Sequence, residues 1–263
     1  MKTAARASRT VALFAASILF LGGTARAEEI RVMTSGAFTA PYLQLIPEFE
    51  RATHNKIVTA YGASMGNAPD SIPSRLQRGE PVDIVILAAD ALDALIKQGK
   101  VVPGSRVDLV RSSIGMAVRA GAPMPDISTV DALKRTLLEA RSIAYSASAS
   151  GVYLSHEMFQ RLGIADQIRS KCKRIASEPV GAVVARGDAE IGFQQISELL
   201  PVPGIDYVGP LPREVQKVTV FSAGVAVGAK QPDAARALIK FLASPAAAPV
   251  IKKTGLELVT QAR

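Results

Sequence analysis

Serine hydroxyls and glycines follow three predicted strands, and this combination is suited to binding an anion. Hydroxyls donate hydrogen bonds, glycines let backbone N–H groups approach a ligand closely, and a following helix N-terminus carries partial positive charge. A single serine at such a turn is typical of ordinary helix capping. Three such turns, drawn from both halves of the chain, favour a composite anion site. They contain Ser35 and Gly36; Ser64 and Met65; and Ser146, Ser148, Ser150 and Gly151.

Several nearby side chains could hold a carboxylate or move a proton. Arg75 follows the Ser64 turn, and its guanidinium fork could bind a carboxylate through two hydrogen bonds, although a solvated helix face explains it as well. Tyr153 falls in the first helical turn if Ser150 is the N-cap, which would direct it at the anion site. His156 lies one turn further along and titrates near neutrality. Tyr153 and His156 are therefore the catalytic candidates, although a histidine on a polar helix face is usually just solvated.

Alternating strands and helices must position these residues. Nearly continuous apolar strands separated by helices predict βαβ units and a parallel sheet covered on both faces, which is an α/β fold. Strands are predicted at 30–33, 56–61, 82–87, 113–118, 142–145, 173–176, 190–193 and 218–227. Helices are predicted at 42–52, 72–78, 91–98, 130–138, 152–162, 180–186, 233–242 and 246–252. The three serine turns then lie at the carboxyl ends of strands, where open α/β sheets bind ligands.

The pattern restarts once along the chain, and this predicts two lobes. A new strand begins at 113, and a proline-rich segment leads back to the last long strand at 218. We expect lobe one to comprise 28–112 with 218–263, and lobe two to comprise 113–217. The ligand cleft would lie between them.

Residues 1–27 have the pattern of a cleaved secretory signal peptide. Lys2, Arg6 and Arg9 precede a short apolar run at 11–23, and small residues at 25 and 27 flank a cleavage site. The run is too short to span a bilayer comfortably, so a membrane anchor is the less favoured alternative. We therefore predict a periplasmic protein without stable membrane insertion.

Composition and motifs exclude several other classes of function. Residues 1–27 contain four positive charges and no negative ones, and the formal net charge of the whole chain is +8. Residues 28–263 therefore carry only +4, and they show no nucleic-acid-binding stripe. Cys172 is the single cysteine, and no zinc-ligand spacing surrounds it. Gly62 to Gly66 matches the nucleophile-elbow pattern, but no convincing acid–histidine pair follows it. We expect no metal, no cofactor and no nucleic-acid partner.

Three segments resemble the molybdate-binding proteins of ABC importers, which are type II periplasmic binding proteins. They are "IRVMTSGAF", "FERATHNKIVTAYGASMG" and "RLQRGEPVDIVILAADALDALIKQGKVV". The resemblance implies a two-lobed fold that closes around an oxyanion held by Ser35 and Ser64. It also implies a monomer that could deliver an anion to an ABC permease without catalysis. Gln194 and Gln195 stand where those proteins often have a tyrosine, which predicts poor molybdate binding.

A second set of segments is similar to the aconitate isomerases, periplasmic enzymes built on the same fold. It includes "SIAYSASASGVYLS" and "RGDAEIGFQQISELLPVPGIDYVGPLP", which come from lobe two. This resemblance implies a cofactor-free isomerase that interconverts cis- and trans-aconitate by an allylic proton shift. Gln194 joins the serine turns as a candidate for binding the small carboxylate substrate. The isomerase and the binding protein remain the two functional hypotheses.

Overall fold

Residues 28–259, which the computed structural model describes, form two mixed sheets with helices on both faces. The strands are β1 Glu29–Thr34, β2 Lys56–Tyr61, β3 Ile84–Ala88, β4 Val107–Ser112, β5 Ile114–Arg119, β6 Ile143–Ser146, β7 Cys172–Ile175, β8 Ile191–Gln195, β9 Ile205–Pro210, β10 Thr219–Val225 and β11 Glu257–Leu258. Their order is β11-β4-β10-β3-β1-β2 in the sheet of lobe one and β7-β6-β8-β5-β9 in the sheet of lobe two. The predicted two-lobed α/β fold is confirmed.

The helices cover both sheets. They are α1 Thr39–Thr53, α2 Ile72–Gln77, α3 Ala89–Lys97, α4 Val130–Glu139, α5 Ala149–Tyr153, α6 Phe159–Arg161, α7 Ala165–Ile168, α8 Val180–Ala185, α9 Ile196–Leu199, α10 Pro232–Leu242 and α11 Ala248–Lys253. A short 3₁₀ segment, Gly36–Phe38, leads into α1, and a π-helical turn, Leu154–Met158, joins α5 to α6.

The expectation of a purely parallel sheet was wrong. β10 runs antiparallel to β3 and β4, and β5 runs antiparallel to β8 and β9. Apolar continuity reports burial on both faces but not strand direction, so the sequence pattern could not distinguish these strands. The strands that precede the serine turns keep the predicted arrangement, because β1 is parallel to β2 and β3, and β6 is parallel to β7 and β8.

The C-terminal helices complete the core of lobe one. Leu238 and Ile239 of α10 and Ile251 of α11 are buried with Phe38 and Leu45, so the chain returns to the lobe in which it began. Within the described residues no single helix is long and apolar enough to cross a membrane. In the part of the chain that the structure describes, one pair, Pro232–Leu242 with Pro245–Lys253, bent by 52°, passes the test of length and composition together. The apolar side chains of this helix pair pack in the core of lobe one.

Two crossing segments connect the lobes and are joined to each other. The chain leaves lobe one at Ser112, enters lobe two at Ile114, and returns between Pro210 and Thr219. On the return segment, the Gln216 side chain donates from Nε2 to the Ile114 carbonyl at 2.9 Å. Its Oε1 accepts from the Ile114 N–H, also at 2.9 Å. The Gln216 side-chain amide thus pairs with both backbone groups of Ile114, as the backbone of a neighbouring β-strand would.

Candidate functional site

The cleft between the lobes has a volume of about 420 Å³ and is built largely from the serine turns. Of the predicted binding residues, those lining it are Ser35, Gly36, Ser64, Ser146, Ser148, Ser150 and Gln194. The structure brings them together because β1, β2 and β6 all end at this side of their sheets. None of the described residues that line the cleft is lysine or arginine. A bound anion would therefore be held by neutral donors.

Three serine hydroxyls are arranged so that each can donate to a ligand. The Oγ atom of Ser64 accepts from the Ala88 N–H at 3.0 Å, and that of Ser146 accepts from the Ser148 N–H at 2.9 Å. The Oγ atom of Ser148 accepts from the Ser64 N–H across the cleft at 3.1 Å. A hydroxyl has one donor hydrogen. Since the backbone N–H groups occupy only acceptor positions, all three hydrogens remain available for an anion.

Ser35 presents an unpaired hydroxyl to the same cleft. Its side chain is 2% exposed, and its Oγ atom has no hydrogen-bond partner among the described residues. The Ser35 N–H donates to the Ile86 carbonyl at 2.8 Å, which anchors the turn to β3. A buried unpaired hydroxyl costs about 1–3 kcal/mol. A ligand oxygen at this point would remove that cost.

Glu198, which the sequence analysis missed, also lines the cleft. It lies in the first turn of α9 in lobe two, and its Oε1 accepts from Gln194 Nε2 at 2.9 Å. The carboxyl group reaches lobe one, because a Cβ atom added to Gly36 would lie only 1.9 Å from Glu198 Oε1. Gly36 is thus needed for the close approach of a carboxyl group. The available sequence signal was an acidic residue four positions after Gln194, at the start of a helix that follows a strand.

Both the oxygen and the nitrogen of the Gln194 side-chain amide form hydrogen bonds. Its side chain is 5% exposed, and Oε1 accepts from the Val180 N–H at 2.9 Å while Nε2 donates to Glu198. The Val180 contact determines which amide atom faces Glu198. Gln194 therefore holds the carboxyl group of Glu198 in a defined place.

Burial raises the pKa of Glu198 to about 7, although the hydrogen bonds from Gln194 and the Gln195 backbone act in the opposite direction. Removal from water penalises the charged carboxylate more than the neutral acid. Both protonation states are then available near neutral pH. Such a group can accept a proton and give it back.

This shift predicts a pH dependence of stability. The folded protein favours protonated Glu198, so its contribution to stability is fully present below the ordinary pKa of 4.5 and is lost as pH rises through about 7. Wild type should therefore lose stability relative to Glu198→Gln over that interval. Denaturation of the two ligand-free proteins between pH 4 and pH 8 measures this. Parallel stability curves would contradict the assigned pKa.

The two catalytic candidates from the sequence lie outside the cleft. Tyr153 is buried in the core of lobe two, where its hydroxyl donates to the Val215 carbonyl at 2.9 Å. His156 is exposed on the π-helical turn. The prediction for Tyr153 assumed Ser150 as the N-cap, whereas the helix begins at Ala149 with Ser148 as N-cap. This shift of two residues rotates Tyr153 away from the anion turns.

Arg75 is not a cleft residue either. Its Nη1 pairs with Glu80 Oε2 at 2.8 Å, and its Nε donates to the Asp70 carbonyl at 3.1 Å. These contacts join the guanidinium group to the segments on either side of α2. Arg75 therefore supports the segment before α2.

Met65 and Gly151 have structural positions beside the cleft. Met65 packs against the hydrophobic core of lobe one. A Cβ atom on Gly151 would lie 1.6 Å from the Ser146 carbonyl oxygen. Gly151 thus allows α5 to pack against the end of β6, and neither residue is among those that line the cleft.

Further hydrogen bonds join the lobes at two other points around the cleft. Ser177 Oγ donates to Asp70 Oδ1 at 3.1 Å, and Ser197 Oγ donates to the Ala37 carbonyl at 2.8 Å. Together with the contact between the Ser64 N–H and Ser148, they hold the lobes against each other. The structure therefore describes a closed arrangement of the cleft.

Comparisons with known proteins agree with this architecture. The chain is 49% identical to an aconitate isomerase of Pseudomonas over 230 residues, which cover 88% of each chain. It is 28% identical to a molybdate-binding protein of Azotobacter vinelandii, with 95% of this chain and 98% of that protein covered. The solved structure of an Azotobacter vinelandii periplasmic molybdate-binding protein superposes with a TM-score of 0.70 at 21% identity. That alignment covers 88% of this chain and 100% of the other.

A family model matches almost all of the described chain. The matched residues are 30–257, which run from β1 of lobe one, through lobe two, and back into lobe one as far as β11. The family is described as bacterial extracellular solute-binding protein. With its two lobes and a cleft of hydrogen-bond donors between them, the chain belongs to the bacterial extracellular solute-binding proteins.

Proposed function

We propose that this protein is an isomerase that interconverts cis- and trans-aconitate in the cleft between its lobes. The observation that carries the proposal is its 49% identity to the Pseudomonas aconitate isomerase over 88% of both chains. That similarity spans most of both lobes. The cleft supports the proposal because it combines hydroxyl donors with a carboxyl group that can exchange a proton near neutral pH.

The serine turns would hold the carboxylates of the substrate. The hydroxyl hydrogens of Ser64, Ser146 and Ser148 are free to donate, and Ser35 has an unpaired hydroxyl. Hydrogen bonds to a charged acceptor are stronger than those between neutral groups. Ser150, which is 2% exposed and lines the same wall, completes the donor set.

The reaction is chemically simple and needs only proton transfer. A proton leaves the methylene carbon, the C–H electron pair forms a new double bond, and the old double bond shifts its electrons to the far carbon, which is protonated. Negative charge develops on the allylic frame and its carboxylates during this step. Fixed donors directed at those carboxylates would stabilise that charge.

Incubation of the purified protein with trans-aconitate tests the proposal. We expect cis-aconitate to appear, as measured by chromatography, and the reverse reaction to occur with cis-aconitate. In calorimetry, aconitate should bind and molybdate should bind poorly, because Gln194 and Gln195 line the cleft where molybdate-binding proteins often have a tyrosine. Micromolar molybdate binding without aconitate conversion would reject the isomerase.

A solute receptor is the second candidate. The family assignment and the similarity to a molybdate-binding protein favour it, as does a closed cleft of neutral donors. In that case the protein would bind an oxyanion or an organic carboxylate unchanged and deliver it to an ABC permease. Tight binding of aconitate without conversion would identify this function.

We also propose that the protein is a monomer of the periplasm. The periplasmic location of the molybdate-binding relative supports export. The predicted signal peptide, 1–27, lies outside the described residues. Sequencing the N-terminus of protein from a periplasmic extract would test cleavage, and a start at Glu28 is expected.

A further inference from the structure

We propose that Glu198 is the acid/base group that carries the proton between the two ends of the allylic frame, an inference that rests on the proposed isomerase. Three carboxyl side chains line the cleft among the described residues: Asp70, Glu178 and Glu198. Asp70 accepts from Ser177 at the contact between the lobes. Glu178 is exposed and pairs with Arg186 at 2.9 Å. Of these three, Glu198 is the one whose carboxyl group reaches Gly36, beside Ser35.

The surroundings of Glu198 place its carboxyl group at the meeting point of both lobes. It belongs to lobe two but contacts the backbone of Gly36, next to the unpaired hydroxyl of Ser35. Gln194 holds Oε1 at 2.9 Å and is itself held by the Val180 N–H. A carboxylate of the substrate bound at Ser35 would therefore lie close to this carboxyl group. Proximity of this kind is the first requirement for a general base.

One carboxyl group is sufficient for the whole shift. The Glu198 carboxylate takes a proton from the methylene carbon, and the C–H electron pair becomes the new double bond. The electrons of the former double bond move to the far carbon, which takes the same proton from the Glu198 carboxylic acid. Because a single carbon separates the two ends, the carboxyl group serves both from one side of the substrate. Glu198 ends as it began, and no further reactant is consumed.

The raised pKa of Glu198 agrees with this role and has burial as its cause. The elements packed against α9 are the Gly36–Phe38 segment, α1, β5, β8 and α8. Their titratable or charged side chains are Tyr42, Glu48, Glu50 and Arg51 on α1 and Arg119 on β5. The cleft itself adds Tyr61, Asp70 and Glu178. A bound polycarboxylate would add like charge, which should raise the pKa of Glu198 further.

Substitution of Glu198 by glutamine tests the proposal while keeping the size of the side chain. We expect kcat for trans-aconitate to fall by about a hundredfold or more, whereas the aconitate Kd changes by no more than about threefold. The matched control is Glu157→Gln, which removes an exposed carboxylate of lobe two outside the cleft. This control should keep wild-type kinetics.

The pH profile supplies a readout that a structural role would not affect. In wild type and Glu157→Gln, kcat/KM should fall as pH drops below about 7, because the base form is lost. The corresponding fall in kcat should occur at higher pH than the fall in kcat/KM, because the negative charge of the bound substrate raises the pKa of Glu198. The residual activity of Glu198→Gln should not show this fall at low pH.

The outcomes separate this inference from the proposed function. Wild-type isomerisation with nearly unchanged activity in Glu198→Gln would overturn the role of Glu198 alone. A wild-type protein that converts neither isomer would reject the isomerase, and this inference with it. If Glu198→Gln does not fold, Glu198→Asp replaces it, since it keeps the acid but withdraws it from Gly36. Full activity and unchanged kcat in that variant would count against the proposal.

Discussion

A Gly36→Ala protein is expected to fold normally and to lose about a hundredfold in kcat/KM for aconitate. The added Cβ atom would lie 1.9 Å from Glu198 Oε1 and 2.9 Å from its carboxyl carbon, so the carboxyl group must move. The atoms displaced are the end of a flexible side chain, and Gly36 does not have a positive φ, so the backbone tolerates alanine. A displacement of about 1 Å at a reacting group can cost this much in rate.

A double-mutant cycle shows whether the loss acts through Glu198. If it does, Gly36→Ala should cost far less in the Glu198→Gln background, because the carboxyl group it displaces is already inactive. Steady-state kinetics of the four proteins measure the coupling, and circular dichroism confirms their folding. Equal losses in both backgrounds would mean that Gly36 acts on the substrate directly, for example through its backbone N–H.

Ser64→Ala is expected to weaken both activity and stability. Loss of one hydrogen bond to a charged acceptor costs about 1.5–3 kcal/mol, which corresponds to a decrease in kcat/KM of about ten- to a hundredfold. The hydroxyl also accepts from the buried Ala88 N–H, which would be left unpaired. That loss should reduce the free energy of unfolding by about 1–3 kcal/mol. Aconitate kinetics and denaturant unfolding measure the two effects separately.

Ser105→Ala is the matched control for Ser64. The Ser105 hydroxyl likewise accepts from a backbone N–H of lobe one, that of Val225 at 3.0 Å, but it lies outside the cleft. This control should lose stability and keep its kcat/KM. If Ser64→Ala behaved in the same way, Ser64 would be a structural hydroxyl only.

The convergence of the serine turns was predictable because it depends on strand order along the chain. Apolar runs identified β1, β2 and β6, and the carboxyl ends of parallel strands share one edge of a sheet. Serines that follow such strands must therefore come close together within each lobe. That the Ser64 and Ser148 turns meet across the cleft depends on how the lobes close, which no local pattern encodes.

Glu198 could not be singled out from the sequence as a cleft residue, and Tyr153 could not be excluded, for two physical reasons. Moving the helix start from Ser150 to Ser148 as N-cap turns Tyr153 into the core, since each helical residue rotates the side chain by about 100°. An acidic residue in the first turn of a helix, such as Glu198, is also favoured there by the helix dipole alone. Its burial and its contact with Gly36 arise only from packing between the lobes.

The amide of Gln216 has a mechanical consequence for how the lobes separate. Its two hydrogen bonds to Ile114 fasten the crossing segments together, so one segment cannot slide past the other without breaking both. We therefore expect the two crossing segments to bend together when the lobes separate. Because the Ser64–Ser148 and Asp70–Ser177 contacts both bridge the lobes away from these segments, one swing breaks them together. We therefore expect ligand entry and release to require that both of these contacts break.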